Sequence, residues 1–378
     1  SMNRNFVGYL GMLPGVVANV STGTFGGDTI NVGGQATRNV NFTLDGSDNN
    51  DGQTGGSTSA QARIPVEAVQ EFTLLTGQFD AEFGGTSGAI VNAVSKSGTN
   101  LFHGSAFTFY QSDKLKAEDY FVRTRDLNKP QSKFQQFGGT LGGPIVRDRA
   151  HFFFSLERLL VDTGVVRNIP SRPDKSGTDF QIARNWNTFI RFDHQLNGNN
   201  TWGVRWLREY TPQPIELEPT WTLAAAIEEI DTDQTVTGNL SSVLGSTQVN
   251  TLRVSFTSEV LHFSNPRFIG GEAQESLPPT LNYLSFQDQQ SPTASNRYLY
   301  GYTLDEVFSW FLPDRGGDHE LKFGMSYNYV PLRREEFGNL NGTFTFNTDL
   351  DFNAADARTY PERFTVRMPG VSDYHIKG

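Results

Sequence analysis

"SGAIVNAVSKSGTN", Ser87 to Asn100, divides the chain. Its first part is small, β-branched and glycine-punctuated, the composition of a buried strand, and Lys96 is its only charge. It then stops abruptly in Lys-Ser-Gly-Thr-Asn, and the sequence that follows changes character.

From Leu101 onward the hydrophobic period is 2. In "LRVSFTSEV", Leu252, Val254 and Phe256 face one way and Arg253, Ser255 and Thr257 the other. "ELKFGMSYNY" sets Leu321, Phe323, Met325, Tyr327 and Tyr329 against Glu320, Lys322, Gly324, Ser326 and Asn328. "NTFIRFDHQLNGNNTWGVRWLRE" reads as a hairpin, with Asn197-Gly198 expected to supply the positive φ of a tight turn. Before Asn100 the chain is mixed: a short amphipathic helical turn stopped by Pro14 and Gly15, strands at Thr29–Val32, Asn39–Leu44 and Phe72–Thr76, and a helical start at Pro65. Residues 87–95 are expected to pack as a strand inside the curve of the following sheet.

Composition narrows the function classes. The 378 residues include 38 Gly and 30 Phe, which suits strands, tight turns and amphipathic sheet surfaces. A net charge of −10 lacks the basic footprint of a nucleic-acid partner. No cysteine is present, so disulfide frameworks, thiolate metal sites and cysteine nucleophiles are excluded together. No apolar run is long enough for a transmembrane helix, and no secretory signal opens the chain. Ser1 before Met2 reads as a cloning remnant.

An amphipathic sheet of this kind is either a soluble sheet with one wet face or a transmembrane barrel with lipid outside and a polar lumen inside. Alternation alone does not separate the two. Alternation sustained over roughly 8–10 residues, the reach of a bilayer-crossing strand, favours the barrel. So does the short "NGNN" turn set against long polar stretches read as loops at Glu209–Val236 and Phe263–Asn296.

Four segments carry a resemblance. "NRNFVGYLGMLPGV", "NFTLDGSDNND", "IPVEAVQEFTLLTGQFDAEFGGTSGAIVNAVSKSGTNLFHGSAFTFYQSD" and "QFGGTLGGPIVRDRAHFFFSLERL" resemble the plug and first barrel strands of a TonB-dependent outer-membrane receptor of the Oar-like branch, which carries a carboxypeptidase-regulatory-like domain before the plug. The resemblance implies a mainly β fold: a small α+β plug module over residues 1–100, truncated at its N-terminus, then an antiparallel meander over 101–378. That meander is about ten strands of an incomplete transmembrane-type β-barrel. Ser87–Ser95 becomes the last plug strand and Lys96–Asn100 the turn into the wall. The family barrel has roughly 22 strands, and no TonB box precedes Met2, so the chain reads as a fragment.

The implied function is uptake of a scarce ligand (glycan, peptide or chelated metal) across the outer membrane of a Gram-negative cell. The implied partners are outer-membrane lipid and a TonB-type energy transducer acting through a missing N-terminal box. The fragment itself would be open to solubility and to edge-mediated self-association. Ligand is expected on loops and plug apices, which selects Asp48, Asn49, Asn50, Asp51, Trp206 and Trp221.

Other chemistry is weaker. Asp45, Asp48, Asn49, Asn50 and Asp51 offer hard oxygens, but without EF-hand spacing they read as turn residues. The six histidines form no HxxH or HxxxH pair, so neither a metal nor another cofactor is expected. "GGTLGG" (Gly138–Gly143) lacks the Lys-Ser/Thr of a phosphate loop and is read as a wall strand approached closely by the plug. Carboxylates Glu209, Glu216, Glu218, Glu228, Glu229, Asp231 and Asp233 near Trp206 and Trp221 leave open a hydrolase alternative, a glycosidase or esterase in a refolded soluble fragment.

Overall fold

The computed structural model describes residues 6–19, 29–36, 39–50, 62–77, 86–115, 117, 129, 131–266, 277–314, 316–367 and 373–376. Helix α1 (Phe6–Leu10) precedes a hairpin of β1 (Val16–Asn19) and β2 (Thr29–Val32). A four-stranded sheet follows, built from β3 (Val40–Leu44), β4 (Ser47–Asp48), β5 (Val69–Thr76) and β6 (Ala89–Ser95) in the order β4-β3-β6-β5. β3 and β6 run parallel and β5 antiparallel to β6. β6 is therefore flanked on both edges, and its Ala89, Val91 and Ala93 join a core with Phe42, Leu44 and Ile64.

The large sheet begins with β7 (His103–Ser112), β8 (Ser132–Val146), β9 (Ala150–Arg167) and β10 (Gly177–Asn197). It continues through β11 (Asn200–Glu216), β12 (Ile227–Leu244) and β13 (Gln248–Ser264). After β14 (Thr280–Asn282) and β15 (Gln287–Asp288), β16 (Ser295–Leu312) pairs with β13. β17 (His319–Tyr329) and β18 (Leu332–Glu336) lie end to end along β16, interrupted at Pro331. β19 (Thr343–Phe346) and β20 (Pro361–Thr365) join β14 and β15 in a third sheet, while β21 (Asp373–Ile376) pairs with β18. Every neighbouring pair in the large sheet is antiparallel, and the sheet is open: β7 and β17 have a partner on one side only among the described residues.

The burial of this sheet is inverted relative to a soluble protein. On β13, Val254 is 53% exposed while its neighbour Ser255 is 3% exposed. Ile190, Val204, Val236 and Leu240 are exposed, whereas Glu209, Asp233, Thr235 and Thr237 are buried. The expected alternation is present: β13 is strand throughout, and the apolar set Leu252, Val254, Phe256 faces away from the small sheet. The inner face closes on the N-terminal module through Phe153, Phe189 and Leu207, which share its core. Burying each such side chain stabilises the contact by about 1.5–3 kcal/mol.

The connector after β6 hugs the wall. A Cβ on Gly98 would collide with the carbonyls of Phe152 and Gly143, so only glycine fits there. Asn100 is stapled to the β8–β9 turn: its Oδ1 accepts from the Asp148 amide at 2.8 Å and meets His151 Nε2 at 2.9 Å.

Three expectations change. Glu209–Val236 is not one long loop, because β11 runs to Glu216 and β12 starts at Ile227; their polar residues belong to strands whose inner face is polar. The β10–β11 turn forms at Asn197–Asn200 without positive φ at Asn197 or Gly198. The Asn197 side chain shapes it instead, accepting from the Asn199 amide at 2.9 Å and from Asn200 Nδ2 at 3.0 Å. The glycines of "GGTLGG" give room mainly to neighbouring wall groups, while the Gly143 carbonyl is also approached closely by Gly98 of the connector. A Cβ on Gly138 or Gly139 would strike backbone of β9 or β7, and one on Gly142 or Gly143 the rings of His103 or Phe102.

Candidate functional site

The wall turns at one end are short, at Val146–Ala150, Asn197–Asn200 and Leu244–Gln248, and the connections at the other end are long. The connections that follow β9, β11, β13 and β18 pack together into a cap. Its centre is a stack in which Tyr283 lies 4.5 Å from Phe286 and 4.9 Å from Phe346, near-parallel to both, with Ile169 buried beside them. Arg172 ties its own turn to the segment 349–351, donating to the Asp349 carbonyl at 2.9 Å, Asp351 at 3.0 Å and Asp174 at 2.8 Å. Lys175 pairs with Asp288 at 2.6 Å, and Asp288 also accepts from Thr222 at 2.6 Å.

These contacts set the charges of the cap. Burial works to raise the Asp288 carboxyl, but hydrogen bonds from Lys175 and Thr222 outweigh it and hold the group below its ordinary range. Asp349 is depressed in the same way, burial being overcome by hydrogen bonds from Ser171 and Ser285. The Arg172 hydrogen bond lowers Asp174.

Below the cap, alternation and register align polar side chains on the inner wall. Asn187, Glu209, Asp233 and Glu259 stand opposite one another across β10, β11, β12 and β13. Arg63 enters this row from the N-terminal module: its amide donates to Glu209 Oε2 at 2.9 Å and its Nε lies 3.0 Å from Oε1. Asn187 donates to the Arg63 carbonyl at 2.6 Å. Asp231, Asp233 and Glu259 present oxygens within 4.8 Å of one another, with Arg297 paired to Glu259. That convergence was invisible in sequence because it depends on which residue of β13 faces Asp233.

Further along, the small sheet and β16–β17 border a crevice of about 1180 Å³ of mixed lining, with Asn41, Thr43, Asp48 and Asn92 on one side, Asp305 and Asn328 on the other, and apolar Ile90, Phe323 and Met325 among them. Burial raises the Asp48 carboxyl, offset in part by hydrogen bonds from Asn50.

The residues selected for ligand contact separate into three places. Asp48 lines the crevice, 3.5 Å from Asn328. Asn49 is buried and holds the backbone of Ala62, donating to its carbonyl at 2.9 Å. Asn50 accepts from the Phe42 amide at 2.8 Å and donates to Asn41 at 2.8 Å. Asp51 lies outside the described residues. Trp206 stands on the outer face between Ile190 and Val236, and Trp221 lies in the cap, bridged through its backbone to Gln287. Of those among the described residues, Asp48, Asn49 and Asn50 come together. Sequence reasoning missed Arg63, Glu259 and Arg297; for the last two, inward parity on an alternating strand was the available signal.

Two family descriptions match this chain. Residues 94–185 and 175–365 match the outer membrane beta barrel domain, and residues 1–91 match the TonB-dependent receptor plug domain. The TonB-dependent transporter Oar of Myxococcus xanthus is 33% identical over 128 residues, 33% of this chain and 12% of that protein. The outer membrane transporter YddB of Escherichia coli superposes with a TM-score of 0.71 at 12% identity, over 99% of this chain and 50% of that one. The ferripyoverdine receptor of Pseudomonas aeruginosa, solved with ferripyoverdine, gives 0.56 at 12% identity over 98% and 45%. At such identities the two structures establish the fold, and this chain spans half or less of each. An inside-out antiparallel wall, a small sheet packed on its polar face and the family matches agree: the chain belongs to the outer-membrane β-barrel family of TonB-dependent receptors.

Proposed function

We propose that the chain is the plug, residues 1–100, and the first part of the barrel wall, residues 101–378, of a TonB-dependent transporter in the outer membrane that takes up a scarce ligand. The inverted wall carries this reading: exposed Val254 beside buried Ser255 suits lipid outside and a filled lumen inside. Long connections packed into a cap suit a ligand-facing side, and Asp48, Asn49, Asn50, Asp51 and Trp221 are the proposed contacts there and at the plug. Trp206, facing outward, serves as a lipid-side anchor in the same reading. A TonB-type transducer is the energy partner, and the edges of β7 and β17 that pair with no further strand among the described residues are the route for self-association of this piece.

The ligand class follows from chemistry: a glycan, a peptide or a chelated cation suits an aromatic and acidic cap. Calorimetric titration of the detergent-solubilised chain with oligosaccharides, short peptides and ferric chelates tests it, with saturable binding to one class expected. Binding that survives disruption of the cap by Arg172→Ala and of the crevice by Asp48→Ala would contradict the site. Turnover of aryl glycosides or aryl esters abolished by Glu209→Gln, Glu216→Gln or Glu229→Gln would contradict the transporter reading.

A further inference from the structure

The plug meets the wall a second time, near the short-turn end, and there the charges are reversed. Arg63 of the plug meets a wall carboxylate above; below, plug Asp45 meets wall arginines. Asp45 sits at the β3–β4 turn with φ 49°, a left-handed conformation that aspartate and asparagine tolerate. Its Oδ2 lies 2.8 Å from Arg205 Nη1, and its Oδ1 3.8 Å from Arg191 Nη1. The same carboxylate accepts from the Ser95 amide at 2.8 Å and the Ser95 hydroxyl at 2.7 Å. Arg191 closes the loop, donating to the Ser95 carbonyl at 3.0 Å, and Arg205 donates to the Leu44 carbonyl. Next to it, Gly46 packs against the Arg253 guanidinium, where an added Cβ would come within 3.3 Å.

One carboxylate thus joins two plug strands, β3 and β6, to two wall strands, β10 and β11, and Gly46 beside it meets a third, β13. Ser95 is the last residue of β6, immediately before the connector to the wall. Arg205 and Ser95 are buried, so the bonds are made away from bulk water, where charge-assisted contacts are strong.

We propose that Asp45 is a latch: a positioning residue that fixes the inner end of the plug sheet to the wall through Arg205 and Arg191, and whose release frees β3, β4 and the end of β6 while the wall stays folded. The inference deepens the reading of residues 1–100 as a plug that must move within the barrel. It is tested without any transport assay, so its failure and the failure of that reading are distinct.

Hydrogen exchange of the full chain in detergent micelles, for wild type, Asp45→Asn, Arg205→Gln and the double variant, is the experiment. Asparagine keeps the shape and the left-handed backbone, removes the charge and turns one acceptor oxygen into a donor that cannot bind Arg205 or Ser95 in the same way. Amides of residues 40–48 and 93–96 are expected to exchange about tenfold faster in each single variant, the size of one lost charge-assisted bond. The double variant should exchange less than the product of the two single effects, because both singles remove the Asp45–Arg205 pair, and β8–β12 should keep wild-type protection. Glu209→Gln should loosen residues 62–68 and leave 93–96 unchanged. Additive effects of Asp45→Asn and Arg205→Gln, unchanged exchange at 93–96, or loosening spread evenly through the wall would overturn the latch.

Discussion

The plug and the wall are built from the same strand chemistry with opposite burial. In the plug sheet, Phe42, Leu44, Ile90 and Val91 are almost fully buried, as in any water-soluble module. In the wall, Val204, Val236 and Val254 are exposed and Thr237, Ser255 and Asp233 are buried. The difference teaches that alternation fixes which residues share a face, while the neighbour decides which face is hidden. The wall's polar face is hidden because a folded module stands against it, with Phe153, Phe189 and Leu207 as the apolar exceptions where plug core and wall join.

The comparison is broken most sharply by truncations to alanine on the two sides. Phe42→Ala, in the plug core, should lower stability by about 3–5 kcal/mol in chemical denaturation followed at the plug. Val254→Ala, on the outer face, should change it by less than about 1 kcal/mol in micelles, where the side chain only exchanges one apolar neighbour for another. Comparable losses would mean that the outer face is packed against protein.

Much of this was legible in the sequence. The period-2 segments placed Leu252, Val254 and Phe256 on one face correctly, and the small residues of Ala89–Ser95 marked the inner plug strand. What was not legible depended on register. Glu209, Asp233 and Glu259 are 24 and 26 residues apart in sequence and become neighbours only when β11, β12 and β13 pair as they do. The span from Glu209 to Val236 looked like a loop because hydropathy treats a strand with a polar inner face as solvent-exposed. Trp206 looked like a binding platform because one residue of parity separates the lumen from the outer surface.

A smaller effect sharpens the contact between the two regions. Glu209→Gln keeps the shape of the side chain and removes the charge facing Arg63. The loss should be about 1.5–3 kcal/mol, the range for a hydrogen bond to a charged group. Hydrogen exchange should localise it to residues 62–68, and no change there would show that the Arg63–Glu209 pair does not hold this part of the plug.

The cap provides the smallest effect and a pH dependence of defined sign. Asp288 and Asp349 are held below their ordinary range in the folded chain. Their contribution is therefore complete above the unfolded carboxyl value of about 3.9 and is lost as pH falls through the lower folded values. Near-ultraviolet circular dichroism from the Tyr283–Phe286–Phe346 stack should stay constant from neutral pH down to about 4 and decline below it, while the far-ultraviolet signal of the wall persists. A decline beginning near neutrality would assign the cap to other groups.

The central claim is the inverted wall, and the absence of cysteine from the chain permits a direct measurement. Val254→Cys and Ser255→Cys, each spin-labelled in lipid vesicles, are compared for collision with oxygen and with a water-soluble nickel chelate. Val254→Cys should favour oxygen, as a lipid-facing site does, and Ser255→Cys should be shielded from both by the plug. Equal accessibility at the two positions, or preferential collision of Val254→Cys with the chelate, would contradict the account.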